Sequence, residues 1–246
     1  MSTRSALVTG ASRGIGLGVA TALAGRGLAL TVTARDESRL REVAVELLRA
    51  GAPRVEVRVG DLADDGHLEA LARGHGDAYG SMGVLVLNAG VGTAGNVSSY
   101  PVRRLDRTIA VNLRAPFRLL QLCLPLLRAG AGDDPARGAR VVALSSVTGV
   151  HAEPGLAAYG ATKAALLSLV DTVNAEESAG GVTATALAPA FVDTDMSAWA
   201  ADRVPPADMI PVADIVRLVE CLLDLSARSV VGPVVVSRAG TSGHTA

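Results

Sequence analysis

A tyrosine and a lysine stand four residues apart, at Tyr159 and Lys163. On a helix that spacing places both side chains on one face, one turn apart. Two serines, Ser145 and Ser146, close an apolar run (Val141, Val142, Ala143, Leu144) that reads as a buried parallel strand. If the strand end and the helix start converge, a hydroxyl, a phenol and an ammonium meet at one point and can deliver a proton to an oxygen atom. A free phenol, with a pKa of about 10, exchanges protons poorly near neutrality. A neighbouring ammonium favours the phenolate, which predicts a lowered pKa for Tyr159. None of these side chains carries hydride, so the chemistry requires a cofactor held by the rest of the chain.

The first strand and helix are built to hold one. Gly10, Gly14 and Gly16 are spaced G-x-x-x-G-x-G between a predicted strand over 5–9 and a predicted helix running to about residue 26. Glycines permit a tight turn and let the backbone approach a pyrophosphate, which sits at a helix N-terminus. Downstream, strands are predicted over 28–34, 55–59, 84–87, 140–144, 182–188 and 230–236. Helices are predicted over 38–50 with Asp36 as N-cap, over 64–78 with Gly74 and Gly76 weakening the second half, and over 102–127 with Pro116 and Pro125 as kinks or stops. The helix bearing Lys163 runs to about residue 179, 129–139 reads as a surface loop, 195–209 as a short helix and loop, and 212–225 as a last helix. Strand and helix alternate throughout, which predicts an α/β fold: a doubly wound, Rossmann-like parallel sheet of about seven strands with helices on both faces. No repeat or linker interrupts residues 1–246, so a single dinucleotide-binding and catalytic domain is expected. Thr9, Arg35, Asp61, Asn88, Ser146 and Pro189 all fall at predicted strand ends, where such sheets bind ligands.

Together these residues resemble the short-chain dehydrogenase/reductase family, whose active site has the pattern Ser…Tyr-x-x-x-Lys. Ser146 stands at the family's distance of thirteen residues before Tyr159. The resemblance runs from Leu7 to about Val236 and is nearest the 3-oxoacyl reductases. It implies Tyr159 as general acid, Lys163 as its tuner and as holder of the nicotinamide ribose, and Ser146 as the group that orients the substrate oxygen. Asn112 matches the family asparagine that holds a water in the proton relay; a polar residue at a helix kink is the other reading. Gly10, Ser12, Arg13, Gly14, Ile15 and Gly16 match the cofactor turn, Asp61 and Leu62 the adenine contacts, and Asn88, Ala89 and Gly90 the family's Asn-Ala-Gly. Pro189, Val192 and Thr194 match positions that meet the nicotinamide carboxamide. Ala34 stands where NAD-preferring members carry an aspartate and Arg35 where NADP-preferring members carry an arginine. With Arg13, this implies NADP(H). The chain departs from the family pattern at Ala190, usually glycine and strained there if φ must be positive, and at Ser237-Arg238-Ala239-Gly240.

The expected activity is therefore NADPH-dependent reduction of a ketone, or oxidation of a secondary alcohol, with 3-oxoacyl thioesters among the candidate substrates. Gly180 replaces a basic residue common in reductases acting on acyl carrier protein. A non-catalytic NADP-binding sensor or scaffold is the alternative, though such proteins typically lose the tyrosine or lysine. His151, Phe191, Met196 and Trp199 are candidate substrate contacts, with Met209 beside them; loop solvation for His151 and core packing for the others compete.

Bulk properties narrow the field. Aromatics make up 2% of the chain and the net charge is −1, which argues against a nucleic-acid footprint. No apolar run approaches the ~20 residues of a membrane span, and no metal site is expected. Cys123 and Cys221 lie in apolar helical patterns and read as buried free thiols, which suits a cytoplasmic protein. The start, Met1-Ser-Thr-Arg, leaves no room for a signal peptide. The family resemblance implies a homodimer or homotetramer packed through the two long central helices.

Overall fold

A computed structural model describes residues 4–92 and 94–243; the expectation about a signal peptide rests largely on Met1–Thr3, outside that range. Seven strands form one parallel sheet: β1 (Ser5–Thr9), β2 (Ala29–Ala34), β3 (Val55–Val59), β4 (Val84–Leu87), β5 (Ala139–Leu144), β6 (Val182–Pro189) and β7 (Val234–Val236), in the order β3-β2-β1-β4-β5-β6-β7. The helices are α1 (Gly14–Gly25), α2 (Glu37–Ala50), α3 (Asp65–Tyr79), α4 (Val102–Ile109), α5 (Ala115–Asp133), α6 (Ala157–Glu177) and α7 (Val212–Asp224).

Because side chains alternate across a strand, the central strands β1, β4, β5 and β6 feed two cores. Val8, Val32, Val86 and Leu144 pack with Val19 and Leu23 of α1, Leu40 and Leu47 of α2, and Ile215 and Val219 of α7. Leu7, Leu85, Val141 and Ala184 face the other way, onto Leu68 and Leu71 of α3, Leu119 and Leu127 of α5, and Leu166 and Val170 of α6. The strand order reverses between β1 and β4, each chain leaving toward an opposite edge. This leaves the crevice beyond their carboxyl ends in which doubly wound sheets bind ligands.

Several local expectations are corrected. The helix predicted over 102–127 is interrupted by a π turn, Ala110–Arg114. Pro116 has no N–H to return to the carbonyl of residue 112, and a wider turn relieves that loss. Pro125 is accommodated inside α5, which runs on to Asp133 through part of the predicted loop. Gly74 does not weaken α3: the space its side chain would fill holds the Arg58 guanidinium, 2.6 Å from an added Cβ. The adjoining His75 lies buried under the sheet, bonded to Ser5 and Thr31, and burial pushes its pKa down to about 4. The last strand starts only at Val234, since Pro233 offers no N–H to a ladder. Cys123 is buried but Cys221 is exposed. Among the described residues, no helix is long and apolar enough to cross a membrane.

Candidate active site

β5 delivers Ser145 and Ser146 at its carboxyl end, and α6 carries Tyr159 and Lys163 back over it. Small residues make the approach possible. A Cβ on Gly160 would fall 2.7 Å from the Thr148 carbonyl oxygen, and one on Gly149 would fall 2.7 Å from the Lys163 carbonyl carbon. Ser145 Oγ donates to the Lys163 carbonyl at 2.9 Å, which ties strand to helix. Ser146 Oγ accepts from the Thr148 hydroxyl at 3.0 Å and its N–H at 3.3 Å. That leaves its own proton available to bond the Tyr159 phenol, with which it is paired. Lys163 Nζ donates to the Leu144 carbonyl at 2.5 Å and lies 5.5 Å from the centre of the Tyr159 ring. Thr148 is absent from the sequence-based expectations, although the contact is local: Ser146 caps the short turn Val147–Gly149, and Thr148 stands two residues on.

The π turn aims Asn112. Its amide donates to the Val91 carbonyl and accepts from the Val91 N–H, both at 2.8 Å, and donates to Thr162 at 3.2 Å. A side chain added at Gly90 would meet Asn112 Oδ1 at 3.4 Å and Lys163 Nζ at 3.5 Å. Asn112 thus stands behind the lysine and holds the loop after β4 in place.

The electrostatics correct the expectation of an acidified phenol. Burial pushes Tyr159 up to about 12, against the opposing effect of its bond to Ser146. Burial also pushes Lys163 down to about 8. Desolvation disfavours both charged forms and is the largest cause at each group.

These residues line one end of a cavity of about 660 Å³ whose other end is the glycine turn. There α1 starts with no side-chain cap and no acidic residue in its first turn, so its first N–H groups are open to an anion. A Cβ on Gly16 would fall 2.2 Å from the Gly10 carbonyl oxygen, so only glycine allows the turn to close. Asn88 Nδ2 donates to the carbonyls of Thr9, at 2.9 Å, and Gly10, at 3.2 Å, joining the ends of β1 and β4. This shape and its donor set fit a dinucleotide cofactor with its pyrophosphate on α1.

Of the predicted cofactor contacts, Ser12, Arg13, Ile15, Arg35, Asp61, Leu62, Ala89, Gly90, Pro189, Val192 and Thr194 also line the cavity. Asp36, the predicted N-cap, caps α2 by accepting from the Arg39 N–H at 3.0 Å. Two ion pairs were not legible in the sequence. Arg13 meets Asp195 at 3.1 Å, and Arg107, from α4, grips Asp61 at 2.7 and 2.9 Å. Burial would raise the Asp61 pKa, but Arg107, the Ala63 N–H and the charge of Arg35 hold it below the usual carboxylate range. Ala190 is unstrained, since no described residue other than glycine has positive φ.

Phe191, Met196 and Trp199 line the tyrosine end. His151 is not among the lining residues, and its N–H is turned back to the Val147 carbonyl at 2.8 Å. Met209 is buried against the segment 200–204 rather than facing the cavity.

Known proteins share this arrangement. Residues 4–204 match the short chain dehydrogenase family model. A 2-(R)-hydroxypropyl-CoM dehydrogenase of Xanthobacter autotrophicus is 32% identical over 212 residues, 85% of this chain and 82% of that protein. A 3-oxoacyl-[acyl-carrier-protein] reductase of Staphylococcus aureus is 31% identical over 95% of this chain and 96% of its own. An alcohol dehydrogenase from the archaeon Thermococcus sibiricus, solved with 5-hydroxy-NADP, superposes with a TM-score of 0.85 at 28% identity, covering 97% of both chains. A short chain dehydrogenase from Burkholderia cenocepacia, solved with NADP, gives 0.83 at 26% identity over 96% of both chains. The glycine turn, the strand order and the serine, tyrosine and lysine around one cavity are therefore those of a shared ancestry, and this chain belongs to the short chain dehydrogenase family of oxidoreductases.

Proposed function

We propose that this chain is an NADP(H)-dependent carbonyl reductase, reversibly an alcohol dehydrogenase, acting on a ketone or secondary alcohol from residues 1–246 as one catalytic domain. The observation that carries the reading is the meeting of Ser146, Tyr159 and Lys163 at one end of a cavity whose other end is the glycine turn at the uncapped N-terminus of α1. The cofactor, when bound, supplies hydride to the carbonyl carbon. Ser12, Gly14 and Ile15 would hold its pyrophosphate on α1; Arg35, with Arg13, would take the 2′-phosphate by charge-assisted hydrogen bonds. Asp61 and Leu62 bound the adenine, and Pro189, Val192 and Thr194 bound the carboxamide.

Tyr159 gives its proton to the substrate oxygen. Burial pushes its pKa up to about 12, so near neutrality it carries the proton to be given, though as a weaker acid than a free phenol. Ser146 bonds the same oxygen and orients it, with Thr148 fixing the serine rotamer. Below about pH 8 Lys163 is an ammonium and stabilises the phenolate left behind. Asn112 holds the loop beside Lys163, where a water would replace the proton.

The non-catalytic sensor or scaffold is the weaker reading, because all four residues are retained and brought together. A homodimer or homotetramer in the cytoplasm completes the proposal; Phe117 on α5, exposed at 56%, lies on the helix through which it would pack. The test is cofactor oxidation with a ketone panel, NADPH and NADH in parallel. Ketone-dependent oxidation favouring NADPH is expected. NADPH binding without turnover across the panel would replace the reductase with the sensor.

A further inference from the structure

The chain has six Phe, Tyr and Trp residues in all. Three of them, Tyr159, Phe191 and Trp199, line one end of the cavity. Phe191 and Trp199 meet edge to face, with ring centres 5.7 Å apart and planes at 76°. Leu156 and Met196 extend the same wall. Met196 and Trp199 are 50% and 53% exposed, so a broad apolar surface stands open at the mouth. The segment presenting it is packed. Ala200, Val204 and Met209 are buried and form a small core with Phe191, and Ile210 N–H donates to the Phe191 carbonyl at 2.9 Å. A large ring held in place while facing solvent marks a surface that another molecule covers.

Charge limits what that molecule is. Of the four aspartates between 193 and 208 only Asp195 lines the cavity, and it is paired with Arg13. The one cation of that stretch, Arg203, stands 5.1 Å over the Trp199 ring. Arg107 is paired with Asp61, Arg104 is one turn from it on α4, and Arg35 ends β2. Beyond Arg203, the segment that presents the ring wall thus has no cation of its own for an anionic tail, such as a phosphopantetheine arm or the phosphates of a coenzyme A thioester.

We infer that the substrate is an uncharged ketone or secondary alcohol with a fused-ring hydrocarbon body, laid on Trp199 and Phe191 with its oxygen at Tyr159. This rests on the reductase reading and narrows it. A rigid ring body covers the wall without freezing rotatable bonds, an advantage over a linear chain of equal carbon count. Trp199 is the specificity-determining residue.

Trp199 is the chain's single tryptophan, so its emission reports this wall alone. Enzyme loaded with NADP⁺ cannot reduce a ketone, so titrating that complex with β-decalone reads binding apart from turnover. A saturable emission change is expected. With NADPH, β-decalone should be reduced with kcat/KM at least about tenfold above linear decanone and above a 3-oxoacyl N-acetylcysteamine thioester. Trp199→Ala should lower the β-decalone value about tenfold and the linear one less than about threefold, with Trp199→Phe recovering most of the loss. Saturable binding without turnover of any ketone would keep the ring-body inference and sink the reductase reading. A linear ketone or thioester reduced as well as β-decalone, or β-decalone reduced unchanged by Trp199→Ala, would overturn the inference and leave the reductase standing. So would β-decalone failing to bind while other ketones are reduced.

Discussion

At the glycine-turn end the cavity is walled by arginines standing in solvent; at the tyrosine end it is walled by rings and a buried amine. The Arg13–Asp195 pair shows the first condition, with both side chains about 70% exposed. Lys163, 4% exposed and held by one backbone carbonyl, shows the second. Exposed pairs are screened and worth little individually. They suit recognition of a highly charged ligand, where several weak contacts add. Burial acts strongly on the proton affinity of one group, pushing Lys163 down to about 8 and Tyr159 up to about 12. On the proposed function the two ends divide the work: cofactor specificity is electrostatic and tunable at the surface, while acid–base chemistry is set by desolvation.

The contrast predicts unequal consequences. Removing the phenol should be most severe. Tyr159→Phe is expected to lower kcat by about 10²–10⁴-fold while NADPH affinity, measured by fluorescence titration, stays within about tenfold, or ~1.4 kcal/mol. Wild-type rates in this variant would remove Tyr159 from its role. Next, Arg35→Asp should change the NADPH-to-NADH ratio of kcat/KM by about 10–100-fold toward NADH, the scale of a lost charge-assisted hydrogen bond. An unchanged ratio would take Arg35 out of specificity.

A smaller effect is expected with pH. Lys163 is depressed, so its ammonium is present below about pH 8 and lost above it, while Tyr159 stays protonated until about 12. Reductive kcat/KM should be level on the acid side and fall up to about tenfold per pH unit above 8. A level profile to about pH 10 would show that the ammonium is not needed. Smallest of all, Asp195→Asn should free Arg13 and raise NADPH preference by less than about fivefold, an effect that fades as salt is added. A large, salt-independent change would mean that the pair is structural and that the two ends are not so different.

The tyrosine–lysine spacing, the glycine turn and the strand–helix alternation were legible in the chain because each depends on a local period or a backbone constraint. Asp36 caps α2 for the same local reason. Ligand-facing positions at strand ends were legible too, since a parallel sheet has only one such edge. The partners were not. Arg107 on Asp61 and Arg58 in the space beside Gly74 come from separate elements, and no spacing rule joins them. Nor could the sequence rank two opposed effects at Tyr159. A nearby ammonium lowers a phenol and burial raises it, and which prevails depends on how much protein surrounds both groups. Desolvation is a property of that whole surrounding volume, so only the tertiary structure decided that it prevails here, and likewise that Cys221 is exposed while Cys123 is not.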